Sequence, residues 1–182
     1  MYYEFNKDYT QAIHYLKVAV NEETNATALF NLAIIYEEKG DREEAKQIYK
    51  KVLKHDPDHY KAKVNLAILF EKEGKNSEAF AQYKEATKVK PEEARILQNM
   101  GINLKRAGNL DDALSYYQKA VELEPANSVI LYNMGILHNV RSDYSAAIES
   151  LENSISKNKD NVYAYLALGD ALERQKELER AH

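Results

Sequence analysis

Every proline and glycine in the chain keeps one interval. The three prolines, Pro57, Pro91 and Pro125, stand 34 residues apart, as do Gly40, Gly74 and Gly108 and the remaining glycines Gly101, Gly135 and Gly169. The residues that end or crowd helices therefore recur at three fixed places in a repeating unit. The same step carries Ala45, Ala79, Ala113, Ala147 and Ala181, the aromatic series Tyr49, Tyr83 and Tyr117, and the series Leu32, Leu66, Met100, Met134 and Leu168. Self-similarity at this period predicts a solenoid, in which each unit buries its apolar face against its neighbours.

One unit, residues 94–127, predicts what each repeat folds into. Leu97, Met100, Gly101 and Leu104 fall at i, i+3, i+4 and i+7, the core stripe of a first helix, A, which Gly108 ends. Leu110, Ala113, Leu114, Tyr117, Ala120 and Val121 make the stripe of a second, B. It should stop before Pro125, because the residue ahead of a proline is pushed out of the helical region. Gly101 and Ala113 are expected where the two helices cross, since a larger side chain there would hold the backbones apart.

The unit resembles a tetratricopeptide repeat. Residues 26–59 carry the family pattern as Leu29, Leu32, Ala33, Tyr36, Ala45, Tyr49 and Pro57, and residues 60–93 as Leu66, Ala67, Phe70, Ala79, Tyr83, Ala86 and Pro91. A degenerate fourth unit, 128–161, keeps Leu131, Met134, Gly135, Ala147 and Leu151. It has His138, Ser142, Ser154 and Lys159 in place of the usual aromatic, glycine, alanine and proline. The resemblance implies an all-α, right-handed superhelical solenoid of antiparallel helix pairs with about ten full helices, and a negligible strand content.

Both ends read as partial units. Residues 1–25 contain Tyr9, Ala12, Ile13, Leu16 and Ala19, a helix B without its A, one residue out of step with the next unit. Residues 162–182 supply a helix A to about residue 175, with a helix B expected to be just starting at Ala181. The expectation is a single solenoid cut from a longer array, with possible self-association through its uncapped ends.

Composition bounds what such an array could do. Twenty-five Lys and Arg against 29 Asp and Glu leave a net charge of -4, the wrong balance for general nucleic-acid binding. The absence of cysteine excludes thiolate chemistry, disulfides and cysteine-bound zinc. No run of apolar residues is long enough to cross a membrane, and no secretory leader pattern opens the chain, so a cytoplasmic or otherwise intracellular protein is expected. Phosphate-loop, zinc-protease, nucleophile-elbow and dinucleotide motifs are all missing, so neither an enzyme nor a cofactor or metal is expected. His55 and His59 flank Pro57 on a turn and are a poor metal pair. His14 and His138 are expected to be packing residues. The sequon at Asn25, Ala26 and Thr27 needs a secretory setting, and the carboxylate pairs Glu22 with Glu23 and Glu92 with Glu93 read as helix-end charges.

In the family the A helices line a concave groove, which the resemblance makes the place to look for function. The groove-facing residues are the second, sixth, ninth and thirteenth of each unit: Thr27, Asn31, Ile34 and Glu38, then Lys61, Asn65, Ile68 and Lys72. The third and fourth units give Arg95, Asn99, Ile102 and Arg106, then Val129, Asn133, Ile136 and Val140. An Asn ladder thus runs beside an Ile ladder. Carboxamides can bond the main chain of a peptide whatever its side chains, but they can equally bond neighbouring helices or water. The isoleucines read either as a binding stripe or as packing between A helices. Lys61, Lys72, Arg95, Lys105 and Arg106 make the middle of the groove basic, beside an acidic first part with Glu37, Glu38 and Glu71. These charges would receive acidic ligand groups or form a solvated face.

Family members that clamp a C-terminal carboxylate need Lys and Asn at the fifth and ninth positions. Here those positions hold Phe30 and Ile34, Val64 and Ile68, Gln98 and Ile102, and Tyr132 and Ile136, so that activity is not expected. Arg95 alone fills one of the clamp's later basic sites. The reading that remains is a module binding an extended or helical segment of another protein, as adaptor or scaffold. The alternative is the non-catalytic substrate-recognition arm of a larger enzyme, since the Asn ladder resembles that of O-linked N-acetylglucosamine transferases.

Overall fold

The helix boundaries keep the interval of the sequence. In the computed structural model, which describes residues 9–21 and 25–181, the A-type helices are α2 (Ala26–Lys39), α4 (Tyr60–Lys72), α6 (Ala94–Arg106), α8 (Ser128–Val140) and α10 (Val162–Ala181). The B-type helices are α1 (Tyr9–Asn21), α3 (Arg42–His55), α5 (Asn76–Val89), α7 (Leu110–Leu123) and α9 (Tyr144–Lys157). The described residues contain no strand. The chain forms two compact units, residues 1–90 with α1 to α5 and residues 91–182 with α6 to α10. Glu22 and Glu23 lie outside the described residues, as do the side chains of Ala12, Ala19 and Ala181.

The turn from A to B is built the same way four times. Gly40, Gly74 and Gly108 have φ of 92°, 75° and 81°, a left-handed conformation that glycine adopts without a Cβ clash. Each donates its N–H to the carbonyl three residues back. The next residue bonds the carbonyl five back, as Asp41 does to Tyr36 at 2.9 Å and Lys75 to Phe70 at 2.9 Å. In the degenerate unit Ser142 takes the same place with φ 62°, and Asp143 bonds the carbonyl of His138 at 3.0 Å, so the turn survives the loss of its glycine. It does not survive the next step. Lys176 stands 34 residues beyond Ser142, and there α10 runs straight on to Ala181. The expectation that helix A would end near residue 175 is thus corrected: with no residue suited to the left-handed conformation, the helix simply continues.

The residues that look degenerate carry their own compensation. Ser154, fully buried in an alanine position, donates to the Ser128 carbonyl at 2.7 Å, which satisfies its hydroxyl. Buried His138 lies 3.2 Å from the Asp143 carboxylate. His14, by contrast, is exposed and meets Tyr15 edge-on, so it is no packing residue.

The core of the first unit gathers Leu29, Leu32, Ala33, Ala45, Tyr49, Val52, Leu66 and Leu69 between α2, α3 and α4, with Ile13 and Leu16 of α1 against it. In the second unit Ala113, Tyr117 and Leu137 form one cluster and Ala147, Leu151 and Ala171 another. The crossing of A on B depends on glycine. A Cβ on Gly101 would lie 2.7 Å from Cε1 of Tyr117, and one on Gly135 would lie 2.6 Å from Cγ of Leu151. The side chain that fills the glycine hollow is thus the large residue one turn after Ala113 or Ala147, not the alanine itself.

Candidate interaction face

The face predicted to bind is carried by the A-type helices, and its members are neither fully buried nor all free. Ile34, Ile68, Ile102 and Ile136 are half-buried; Ile102 packs against the cluster of Ala113, Tyr117 and Leu137. Asn65, Asn99 and Asn133 are also half-buried, whereas Asn31 is exposed, as are Lys61, Lys72, Arg95 and Arg106.

In the first unit the structure joins several of these residues. Nδ2 of Asn65 donates to the Tyr49 hydroxyl at 2.9 Å, and that hydroxyl donates to Oε2 of Glu37 at 3.1 Å. Oε1 of Glu37 accepts from Lys72 at 3.0 Å. A chain of polar contacts therefore runs from α4 through the buried ring on α3 to α2 and back to α4. Burial, the largest cause, pushes the Tyr49 phenol well above its usual pKa and keeps it a neutral donor. Two readings of the sequence change in consequence. The neighbouring-helix role of the Asn ladder is real at Asn65, where one N–H is engaged. Lys72 and Glu37, read as parts of separate basic and acidic zones, are one ion pair. Asn65 keeps its second N–H and its carbonyl oxygen, the donor and acceptor that a peptide group requires.

In the second unit Arg95, Asn99, Ile102 and Arg106 share α6, while Asn133 and Ile136 share α8. Lys105, beside them, is half-buried, and that burial lowers its pKa, with Arg106 adding to the effect.

Other candidates resolve as structural. Nδ1 of His59 accepts from the Ala62 N–H at 3.1 Å, capping α4, and the ring meets Phe30 at 4.6 Å between centroids. Among the described residues no cluster of His, Asp and Glu is arranged to hold a metal. Asn25 caps α2 by accepting from Ala28 N–H at 3.1 Å. No described helix is long and apolar enough to cross a membrane.

Two features escaped the sequence. A concavity of about 470 Å³ lies among α1, α2 and α3, floored by Leu29, Leu32 and Ile48 and rimmed by Lys17, Glu43 and Lys51; its α2 residues belong to the core stripe, and none of the predicted site residues lines it. The second is the ion network of Lys46, whose buried ammonium sits 2.7 Å from both Glu43 and Glu73, with Lys75 2.7 Å from Glu73 as well. Hydrogen bonds from Lys46 and then Lys75 hold the Glu73 carboxyl down at about 2. Lys46 lies on the B-type helix α3, outside the core residues Ala45 and Tyr49 that the sequence pattern picks out there.

With that geometry in place, comparison with known proteins decides the family. The pattern of the family described as "Psidin, N-terminal TPR repeats region" matches residues 31–167. The chain belongs to this tetratricopeptide-repeat family. Solved structures of the same fold include MamA, with a TM-score of 0.75 and 24% identity over 86% of this chain and 85% of that one. PilF of Pseudomonas aeruginosa gives 0.76 and 27% over 84% and 69%. YrrB, described as a TPR protein with an unusual peptide-binding site, gives 0.74 and 22% over 87% and 82%. No curated protein matches the sequence. The tetratricopeptide-repeat fold that the resemblance implies is borne out.

Proposed function

We propose that this tetratricopeptide-repeat chain is a non-catalytic protein-interaction module whose A-helix face receives an extended or helical segment of a partner, as adaptor or scaffold. A second copy of the chain is a further proposed partner. The observation that carries the reading is the recurrence, at the same four register positions of two successive A-type helices, of basic, Asn, Ile, basic: Lys61, Asn65, Ile68 and Lys72 on α4, then Arg95, Asn99, Ile102 and Arg106 on α6. Packing accounts for the isoleucines and the ion pair with Glu37 for Lys72, but neither gives a reason for Lys61 and Arg95 to recur at the second position. Exposed Lys61 and Arg95 offer charge to acidic groups of a ligand, and the carboxamides offer bonds to its main chain. The peptide-binding site of YrrB, on the same fold, agrees with this use of a repeat surface.

The test compares two double variants against peptides selected from a random display library. Asn65→Ala with Asn99→Ala should weaken all selected sequences to a similar degree, because main-chain bonds are lost. Lys61→Glu with Arg95→Glu should weaken acidic peptides selectively and flatten their salt dependence. Affinities unchanged in both double variants would remove the A-helix face from the account.

A further inference from the structure

The twelfth residues of the four units are Glu37, Glu71, Lys105 and Asn139, and the first and last of them show how this place is used. Glu37 accepts from the Tyr49 hydroxyl, 12 residues on, and from Lys72, 35 residues on, which belongs to the next A-type helix. Asn139 donates at 2.9 Å to the carboxylate of Asp170, 31 residues on, again on the next A-type helix. In both units a polar group at this place meets a charge on the following A helix.

Lys105 meets none. The residues that stand in those two relations to it, Ile136 and Val140 of α8, are both apolar. Lys105 is nevertheless half-buried, and the charge that bears on it is the like charge of Arg106; among the described residues no carboxylate pairs with it. An ammonium partly withdrawn from water without a counter-charge is unfavourable, and a carboxylate brought to it from outside relieves that cost. The surface beside it is apolar as well. Where α4 and α6 have cations at the second and thirteenth positions, α8 has Val129 and Val140, which are 51% and 57% exposed. A buried-edge cation next to exposed aliphatic side chains suits a ligand that is acidic at one residue and aliphatic at the next.

We infer that the second unit anchors a carboxylate of a partner protein at Lys105, with an aliphatic residue next to that carboxylate resting on Ile136 and Val140. The inference rests on the A-helix reading above and narrows it to one anchor and one ligand chemistry. The ion pair that Glu37 and Lys72 make inside the first unit is here made between the protein and its ligand, with the charges exchanged. The carboxylate is that of an Asp or Glu side chain or of a free C-terminus. A nucleic-acid phosphate fits less well, since it brings no aliphatic group to the two valines.

The probes are fluorescein-labelled peptides selected on the full chain from a random display library. Each is also made with its Asp and Glu changed to Asn and Gln, and with its C-terminus amidated. Fluorescence anisotropy should show Lys105→Met weakening the carboxylate form by about tenfold or more and leaving the neutralised form unchanged, because a charged hydrogen bond is lost. Sensitivity to the side-chain amides alone assigns an Asp or Glu to Lys105, and sensitivity to amidation alone assigns the chain terminus. Lys105→Glu with Val140→Lys, which builds the Glu37 and Lys72 pair into the second unit, should abolish the preference for a carboxylate while circular dichroism stays unchanged. Urea denaturation gives a readout without ligand: Lys105→Met should be no less stable than wild type, and a loss of stability would mean that the ammonium already has a partner and would overturn the proposal. Unchanged affinity of Lys105→Met for the carboxylate forms overturns it too, as does a selection in which neutralising every carboxylate costs no affinity. If Asn65→Ala with Asn99→Ala still weakens binding, that failure belongs to the Lys105 anchor alone; if every variant binds as wild type does, the A-helix reading fails with it.

Discussion

At the scale of single residues, the same glycine in the same register has opposite meanings in different repeats. Gly101 is buried, and a methyl there would press on the fully buried Tyr117 ring at 2.7 Å. Overpacking of this kind costs about 1–3 kcal/mol, against about 1 kcal/mol gained in helix propensity. Gly101→Ala should therefore lower stability, whereas Gly169→Ala, with open space around it, should raise it by about 1 kcal/mol. Urea denaturation checks the pair, and shifts of the same sign would contradict the packing. Alanine is not forbidden in principle: Ala33 occupies this register fully buried in the first unit, so it is the close approach of α6 and α7 that excludes it at residue 101. Ser142 is the second residue with a conformational demand. Its φ of 62° is unfavourable for a residue with a Cβ, so Ser142→Gly should stabilise by about 0.5–1 kcal/mol in the same measurement.

Among the elements, helix boundaries were legible except at the end of α10, and side-chain partnerships were not. Gly40, Gly74 and Gly108 mark where A helices stop because a left-handed turn is a local demand, met by one residue type. Pro57 marks where α3 must have ended, yet α9 ends at the equivalent Lys157 with no proline following, so the residue marks the boundary without creating it. The bond from Asn65 to Tyr49 is a different kind of fact. It joins α4 to α3, and nothing within either helix distinguishes a carboxamide that meets a buried phenol from one that meets solvent. Lys46 was illegible for the same reason, since Glu73 reaches it from the far end of α4. That network makes an element-scale prediction. Glu73 titrates near 4.5 when unfolded and near 2 when folded, so its contribution is complete above about pH 4.5 and is lost as pH falls through about 2. Lys46 is raised above 10.5 by Glu43 and then Glu73, so its contribution is complete below pH 10.5 and is lost as pH rises through the higher folded value. Chemical denaturation across pH should show Glu73→Gln losing less stability than wild type between pH 4.5 and 2. Parallel acid limbs in the two proteins would contradict the assignment.

For the molecule as a whole, the repeat pattern explains why fold and function were unequally visible. Recurrence at a fixed interval defines the core of a solenoid, because every unit must satisfy the same packing. It defines a binding face only where residues recur without a packing reason, as Lys61 and Arg95 do. The central claim is that this A-helix face, rather than the outward face of the B helices, engages a partner. Isoleucine-methyl and asparagine side-chain amide NMR spectra of the full chain, titrated with a peptide selected from a random display library, test it most directly. The account predicts that signals of Ile34, Ile68, Ile102 or Ile136 move together with the side-chain amides of Asn65 or Asn99. Perturbations confined to the exposed B-helix positions Lys50, Lys84 and Gln118, with the isoleucine and asparagine signals unmoved, would contradict it.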